Sequence, residues 1–361
     1  MNKILIGIII YLFPFWAYSQ NGVKWCVVSD TNYNAKLTLV GNDKLLKNVS
    51  KEVDNEHFAI YNDNLYYITS NNHAVVRYNL KNRSSSVIGR SNARLYTSLN
   101  INNRGVITLI GYENNVPGRR YYNIVNDKIL AIQSAIRSTN IDNSFPADAL
   151  TFSDTIVSAG TFTNSLLRVT TTSGELLPLQ VDYTTYPTGF PVNSSRLIYF
   201  NVQLAMQDSQ QRRFAIMVGE GNATIKLFTI NDKCIEKQVE VVVDSCLLPF
   251  SVLTNNKGEP WLGLMWNGDK GLSHKICALD IACSSNRFYL LYSDRNSVPY
   301  LNSSNNQGNI IYEFDWNGNL INCYKIEKYL CNLMYDYATK RVYGVSRSAG
   351  YYLQLFELTF D

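Results

Sequence analysis

Histidine and catalytic motifs are scarce in this sequence. It contains three histidines, His57, His73 and His274, and no G-x-S-x-G, H-E-x-x-H or G-x-x-x-x-G-K motif. Those patterns mark a nucleophile elbow, a zinc-binding helix and a phosphate-binding loop. Their absence leaves little support for an enzyme of these classes. His274 lies in a polar stretch and is interpreted as a surface or turn residue.

Cysteine spacing excludes the common zinc sites. The chain has seven cysteines and no C-x-x-C pair. Cys277 and Cys283 fall in one predicted strand, roughly 20 Å apart, which is too far for a disulfide. The odd number leaves at least one thiol free or paired between chains. We therefore expect buried, unreactive thiols rather than a disulfide framework.

The chain also lacks an excess of charge of one sign. It has 33 basic and 29 acidic residues, a formal net charge of +4. The only basic doublets are Arg119-Arg120 and Arg212-Arg213. Scattered, solvated charge of this kind argues against a nucleic-acid partner.

Long hydrophobic runs are missing except at the N-terminus. Lys3 precedes the apolar stretch Ile4–Trp16, and Ala17-Tyr18-Ser19 has small residues where a signal peptidase cleaves. The stretch is about 13 residues long, short of the roughly 20 that span a bilayer. Residues 1–19 are therefore predicted to be a signal peptide, and 20–361 a single exported domain without a transmembrane segment.

Short strands dominate the rest of the chain. The stretch Ile276–Ile326 reads as four strands joined by polar turns, including the Asn317-Gly318 pair that favours a tight hairpin. Tyrosine is common, with 25 residues, which suits half-buried strand surfaces. No helical periodicity is present, so we predict an all-β fold.

Weaker copies of this four-strand unit recur along the sequence. Second strands are predicted to begin at Leu65, Val106, Ile156, Phe214, Phe288 and Val342. These spacings are long enough for one four-stranded antiparallel blade each and predict a six-bladed β-propeller. The last repeat is one strand short, so we expect Lys36–Val40 to close it. An extra apolar segment, Val241–Leu264, is also compatible with added strands or with part of a seventh blade.

Three motifs resemble those of the TolB-like six-bladed propellers that Gram-negative bacteria export. They are Tyr292-Ser293-Asp294-Arg295, Phe314-Asp315-Trp316-Asn317-Gly318-Asn319 and Lys340-Arg341-Val342-Tyr343-Gly344, with a looser likeness over Phe145–Gly160 and Leu167-Arg168. The resemblance implies the fold and export to the periplasm, the outer membrane surface or the medium. It does not imply an activity.

A polar residue recurs at one level of the predicted innermost strands. Counting back from the second strands selects His57, Ser98, Asp148, Asp280 and Asn332, with Gln203 or Met206 in the fourth repeat. Oxygen ligands of this kind could hold a calcium ion in the central channel, and the ring resembles that of calcium-dependent lactonase-type propellers. The alternative is that these groups bond to water or neighbouring backbone. No other cofactor is expected.

Loops between the second and third strands form the second candidate site. We call the face that carries them the loop face. Arginine, tyrosine and histidine are frequent interface anchors, and binding residues often lie on loops held by a rigid scaffold. The candidates are Arg295 and Tyr300 on the longest loop, and His73, Tyr112, Arg119 and Arg347 on others.

Three functions follow from these two sites. The first is a non-catalytic scaffold that binds a protein, peptide or glycan through the loop face. The second is a metal-assisted hydrolase or lactonase that uses His57, Asp148, Asp280 and Asn332. The third is a structural module of an envelope assembly.

Overall fold

The structure is a computed structural model that describes residues 23–25, 33–40, 57–69, 73–114, 116–125, 127–132, 145–162, 165–177, 202–208, 212–218, 223–231, 234–244, 250–254, 260–264, 278–293, 307–348 and 352–360. These residues form 27 β-strands and no helix. Within the same ranges, no helix is long and apolar enough to cross a membrane. The predicted signal peptide lies outside the described residues and stays a prediction.

The first half of the ring contains three blades. Two short strands precede it, β1 (Val23–Trp25) and β2 (Tyr33–Leu39). Blade 1 consists of β3 (Phe58–Tyr61), β4 (Asn64–Ile68), β5 (Ala74–Asn79) and β6 (Ser85–Arg90). Blade 2 consists of β7 (Arg94–Ile101), β8 (Ile107–Glu113), β9 (Val116–Val125) and β10 (Lys128–Ala131). Blade 3 consists of β11 (Phe145–Phe152), β12 (Thr155–Thr161), β13 (Leu167–Thr171) and β14 (Leu176–Leu177).

The second half contains three blades and an added hairpin. Blade 4 consists of β15 (Val202–Asp208), β16 (Arg213–Val218), β17 (Ala223–Ile230) and β18 (Ile235–Asp244). The hairpin pairs β19 (Phe250–Thr254) with β20 (Pro260–Leu264). Blade 5 consists of β21 (Ala278–Cys283), β22 (Arg287–Tyr292), β23 (Gly308–Asp315) and β24 (Leu320–Leu330). Blade 6 consists of β25 (Asn332–Asp336), β26 (Arg341–Ser348), β27 (Tyr352–Phe360) and β2.

The blades form a closed ring. Their inner strands β3, β7, β11, β15, β21 and β25 contact one another in that order, and β25 contacts β3 again. Adjacent blades pack face to face, so inner strands such as Ala278–Cys283 are buried along their whole length. The six-bladed prediction is confirmed for the described residues. Among the described residues of the wide gap between the fourth and fifth repeats, the strands form the separate two-stranded β19–β20 hairpin and no four-stranded blade.

The N-terminal strand closes the ring, as predicted. Strand β2 pairs antiparallel with β27, with Leu37 opposite Leu358, and supplies the fourth strand of blade 6. Its first residues also pair parallel with β24, so blades 5 and 6 share one eight-stranded sheet. Strand β1 pairs parallel with the outer edge of blade 4. These two parallel pairings were not predicted.

The described cysteines are thiols. Cys283, Cys323 and Cys331 are buried and Cys234 is partly exposed. Burial raises the pKa of Cys283 well above its ordinary value and favours the unreactive thiol. The prediction of buried, inert thiols therefore holds for these three. Cys26, Cys246 and Cys277 lie outside the described residues.

Candidate functional site

A cavity of about 300 Å³ lies where the six inner strands meet. Its wall contains His57, Asp148, Asp280 and Asn332, four of the residues that the strand count selected. Gln203 and Met206, the two alternatives in blade 4, both line it as well. The inner strands therefore bring polar groups from several blades to one central space.

Strand register explains why these residues share one level. In four blades the polar residue pairs with the residue three positions after the start of the second-strand repeat; these pairs are Asp148–Ala159, Gln203–Met217, Asp280–Leu291 and Asn332–Val345. In blade 2, Ser98 pairs with Ile110, four positions after Val106. Gln203, not Met206, is thus the equivalent residue in blade 4. A β-bulge immediately precedes Ser98, Asp148 and Asp280. Bulges re-aim the side chain that follows them.

Asp148 joins three blades through its carboxylate. Oδ1 accepts hydrogen bonds from Ser98 Oγ and from its neighbour Ala149 N, each at 2.8 Å. Oδ2 accepts from Asn100 Nδ2 at 2.9 Å and from Leu204 N at 2.8 Å. Burial raises the pKa of Asp148 to about 6, although the four hydrogen bonds oppose the shift. The side chain links blades 2 and 3 to the inner strand of blade 4.

The side chains of Gln203 and Asp280 connect the next blades of the ring. Gln203 Nε2 donates to Leu279 O and its Oε1 accepts from Ile281 N, both at 3.2 Å, which connects blade 4 to blade 5. Asp280 Oδ1 accepts from Ile281 N at 2.9 Å. Its Oδ2 accepts from Leu333 N at 2.6 Å, which connects blade 5 to blade 6.

Asp336 connects blade 6 to blade 1, and sequence reasoning missed it. This residue is fully buried at the end of β25. Its two carboxylate oxygens accept from Asn62 N and Asp63 N, each at 2.9 Å. The available signal was an acidic residue at the end of an otherwise apolar inner strand, where an unpaired carboxylate is costly.

The loop-face end of blade 2 carries a row of three side chains. Leu95 pairs with Tyr112 across β7 and β8, and Tyr112 pairs with Arg119 across β8 and β9. Leu95 and Tyr112 are each 37% exposed, whereas Arg119 is 9% exposed. Arg119 Nε donates to Tyr112 Oη at 2.7 Å, with the guanidinium 5.0 Å from the ring centre. We call these residues the blade 2 row.

Arg119 reaches from this row to the cavity. One of its terminal nitrogens donates to Pro146 O at the start of β11, and the side chain lines the cavity. The neighbouring Arg120 instead pairs with Glu113 at 3.4 Å. Arg119 and Arg120 therefore have different surroundings, because adjacent strand residues point to opposite faces of the blade.

His57 also lines the cavity, one residue before β3. Burial, and then the positive charge of Arg119, lowers the pKa of His57 to about 4. The imidazole is therefore neutral near pH 7. Arg119 supplies a positive charge beside it.

The other loop-face candidates have different surroundings. His73 Nδ1 lies 2.7 Å from Arg94 O and 3.1 Å from Ser91 O, so this nitrogen carries the proton and ties blade 1 to the connection with blade 2. Arg347 was expected on an exposed loop, but it belongs to β26 and is 9% exposed. Arg295 and Tyr300 lie outside the described residues.

The channel carboxylates were also predicted to hold calcium. Asp148 already accepts four hydrogen bonds, so it would have to give up at least one of them to bind a cation, and Asp280 accepts two backbone hydrogen bonds. Among the described residues, no group of three or more His, Cys, Asp and Glu side chains could hold a metal ion. This donor set fits the linking of blades, and the calcium site stays a prediction.

Solved structures of known proteins match the chain at low sequence identity. The chain is similar to regucalcin, a calcium-binding protein from Agrobacterium tumefaciens, with 9% identity over 92% of this chain and 96% of the other and a TM-score of 0.48. Streptogramin B lyase gives 9% identity, coverage of 92% and 100% and a TM-score of 0.47. A chain of a nidogen–laminin complex gives 10%, coverage of 78% and 85% and 0.45. At TM-scores below 0.5 these similarities carry no argument about this chain.

No protein-family model matches the sequence, and no curated protein matches it. The TolB-like family therefore stays a prediction.

Proposed function

We propose that this protein is an exported, non-catalytic propeller that binds its ligand at the loop face, where the blade 2 row meets the central cavity. One observation carries the proposal. The exposed Tyr112 contacts the largely buried guanidinium of Arg119, which lines the cavity, and the exposed Leu95 pairs with Tyr112 on the next strand. Tyrosine and arginine anchors next to a pocket are typical of binding sites.

The polar ring has a separate task in this proposal. Hydrogen bonds to neighbouring blades are formed by the side chains of Asp148, Gln203, Asp280 and Asp336. They hold the inner strands together and thereby fix the positions of the loops. Sites built on rigid scaffolds lose less entropy when a ligand binds.

A binding screen tests the loop-face proposal. Peptide and glycan arrays are probed with the wild-type protein and with the Tyr112→Ala, Arg119→Gln and Arg120→Gln variants. We expect a class of ligand that the wild type and Arg120→Gln retain and that the other two variants lose. Equal binding by all four proteins would refute the proposal. Binding by none would favour the structural-module alternative.

The metal-assisted hydrolase alternative is tested by thermal melts in calcium and in chelator. Because the ring carboxylates already accept backbone hydrogen bonds, we expect the same melting temperature in both solutions. A rise in calcium that is lost in Asp280→Ala would instead support a metal in the channel.

A further inference from the structure

Arg119 supplies a positive charge at the loop-face end of the cavity, whose wall also contains the carboxylates of Asp148 and Asp280. Arg119 presents a planar guanidinium there, oriented by Tyr112 Oη and Pro146 O. His57 beside it is uncharged near neutral pH. Both oxygens of Asp148 are turned to N–H and O–H donors. A guanidinium held in one plane matches the two oxygens of a carboxylate.

The neighbours of Arg119 favour an apolar group next to that carboxylate. Tyr112 stands between Arg119 and Leu95 in the cross-strand row. The guanidinium lies over the tyrosine ring at 5.0 Å, and Leu95 flanks the ring on the other strand. Leu95 and Tyr112, each 37% exposed, offer apolar surface next to the guanidinium.

We propose that the blade 2 row and the cavity mouth bind the free carboxyl terminus of a peptide whose last side chain is apolar. Arg119 holds the carboxylate, and Leu95 and Tyr112 contact the last side chain. Of the blade 2 row, Arg119 lines the cavity, whose volume of about 300 Å³ lies at the lower end of the range for small-ligand pockets. This inference rests on the proposed loop-face function and names its ligand.

Fluorescence polarisation tests the inference with two labelled peptide pools. Each pool consists of random hexapeptides with fluorescein at the N-terminus and leucine at the last position. One pool has a free carboxylate and the other a terminal amide. Because a charge-assisted bidentate contact is lost in the amide, we expect the free acid to bind at least about tenfold more tightly.

Four variants locate the contact. Arg119→Gln is expected to abolish the difference between the pools, whereas Arg120→Gln, in the same strand but on the opposite face, is expected to retain it. Leu95→Glu adds a negative charge without altering Arg119 and should weaken binding of the acid pool. Leu130→Glu, at a 51% exposed position on the outer strand of the same blade, is its control. Circular dichroism checks the folding of each variant.

The outcomes separate the inference from the function on which it rests. Equal binding of acid and amide pools, with loss in Tyr112→Ala, would overturn the carboxylate site and leave loop-face binding standing. Equal weakening by Arg119→Gln and Arg120→Gln, or by Leu95→Glu and Leu130→Glu, would overturn it as well. If neither pool binds while the arrays return another ligand at the loop face, only the carboxylate inference fails.

Discussion

Individual polar residues in the channel act as links between blades. Asp148 accepts four hydrogen bonds, two of them from backbone N–H groups. Unmade hydrogen bonds to such buried donors cost more than the bonds contribute when they are made. The four hydrogen bonds therefore offset part of the cost of burying this carboxylate, whose pKa burial raises.

Asp148→Ala is predicted to destabilise the protein. It leaves the backbone N–H of Leu204 and the amide of Asn100 without this acceptor, and we expect a loss of about 2–4 kcal/mol in the free energy of unfolding. Urea denaturation measures the loss. Asp154→Ala, on the exposed turn of the same blade, is the control and should change stability little. Equal effects would show that Asp148 has no special linking role.

His57→Gln is predicted to make stability less sensitive to acid. The folded-state pKa of about 4 lies below the ordinary 6.5, so the neutral ring stabilises the fold above pH 6.5. That contribution disappears as the pH falls through 4, because the unfolded chain binds the proton first. Asp148 titrates in the same window in both proteins, so its contribution cancels.

Melting temperatures of wild type and His57→Gln are compared across this pH range. We expect the wild type to lose several degrees more than the variant as the pH falls. Parallel curves for the two proteins would show that His57 is not held neutral by burial and Arg119.

At the scale of strands, β2 is the element that completes the ring. Ala35 is buried in the core between blades 5 and 6, and Lys36 beside it is exposed. Because β2 pairs with both β24 and β27, its detachment would open an edge of the sheet. Open edges of this kind pair with other chains.

Ala35→Asp is predicted to destabilise the protein by about 3 kcal/mol and to promote aggregation, because it buries an unpaired charge. Lys36→Asp introduces the same side chain on the solvent face and should behave like the wild type. Thermal melts with light scattering measure both effects. Equal stability of the two variants would show that β2 is not part of the core.

Strand positions were predictable from the sequence, but lateral contacts were not. Second strands such as Phe288–Tyr292 are apolar throughout, because blades cover both faces, and their turns carry Asn, Asp or Gly. Counting back from them reached Asp148 and Asp280. The bulges before these residues could not be predicted from the sequence, since a bulge adds one residue to a strand and no particular residue type marks it.

The candidate site residues also differed in how well the sequence predicted their positions. Tyr112 was selected because it was predicted to lie on an exposed loop; the structure places it within β8, where it is 37% exposed. The inward path of Arg119 and the burial of Arg347 depend on which face of a strand each occupies, and a one-residue change of register reverses that face. The parallel pairing of β1 with β18 depends on chain paths between distant segments and left no local pattern.

At the scale of the whole molecule, the two ends of the central cavity have different roles: the loop-face end is proposed to bind the ligand, and the opposite end links blades. The loop-face end of the cavity carries Arg119 and the exposed blade 2 row. At the other end Tyr337 Oη donates to Met206 O and crosses from blade 6 to blade 4. A ligand should therefore affect one end of the ring and leave the other unchanged.

Hydrogen–deuterium exchange with and without the free-carboxylate peptide pool tests this most directly. We expect slower exchange in the segments that carry Leu95, Tyr112 and Arg119, and no change at the Asp315–Asn319 turn on the opposite face. Slower exchange at that turn, with none in the blade 2 row, would contradict the proposed binding site.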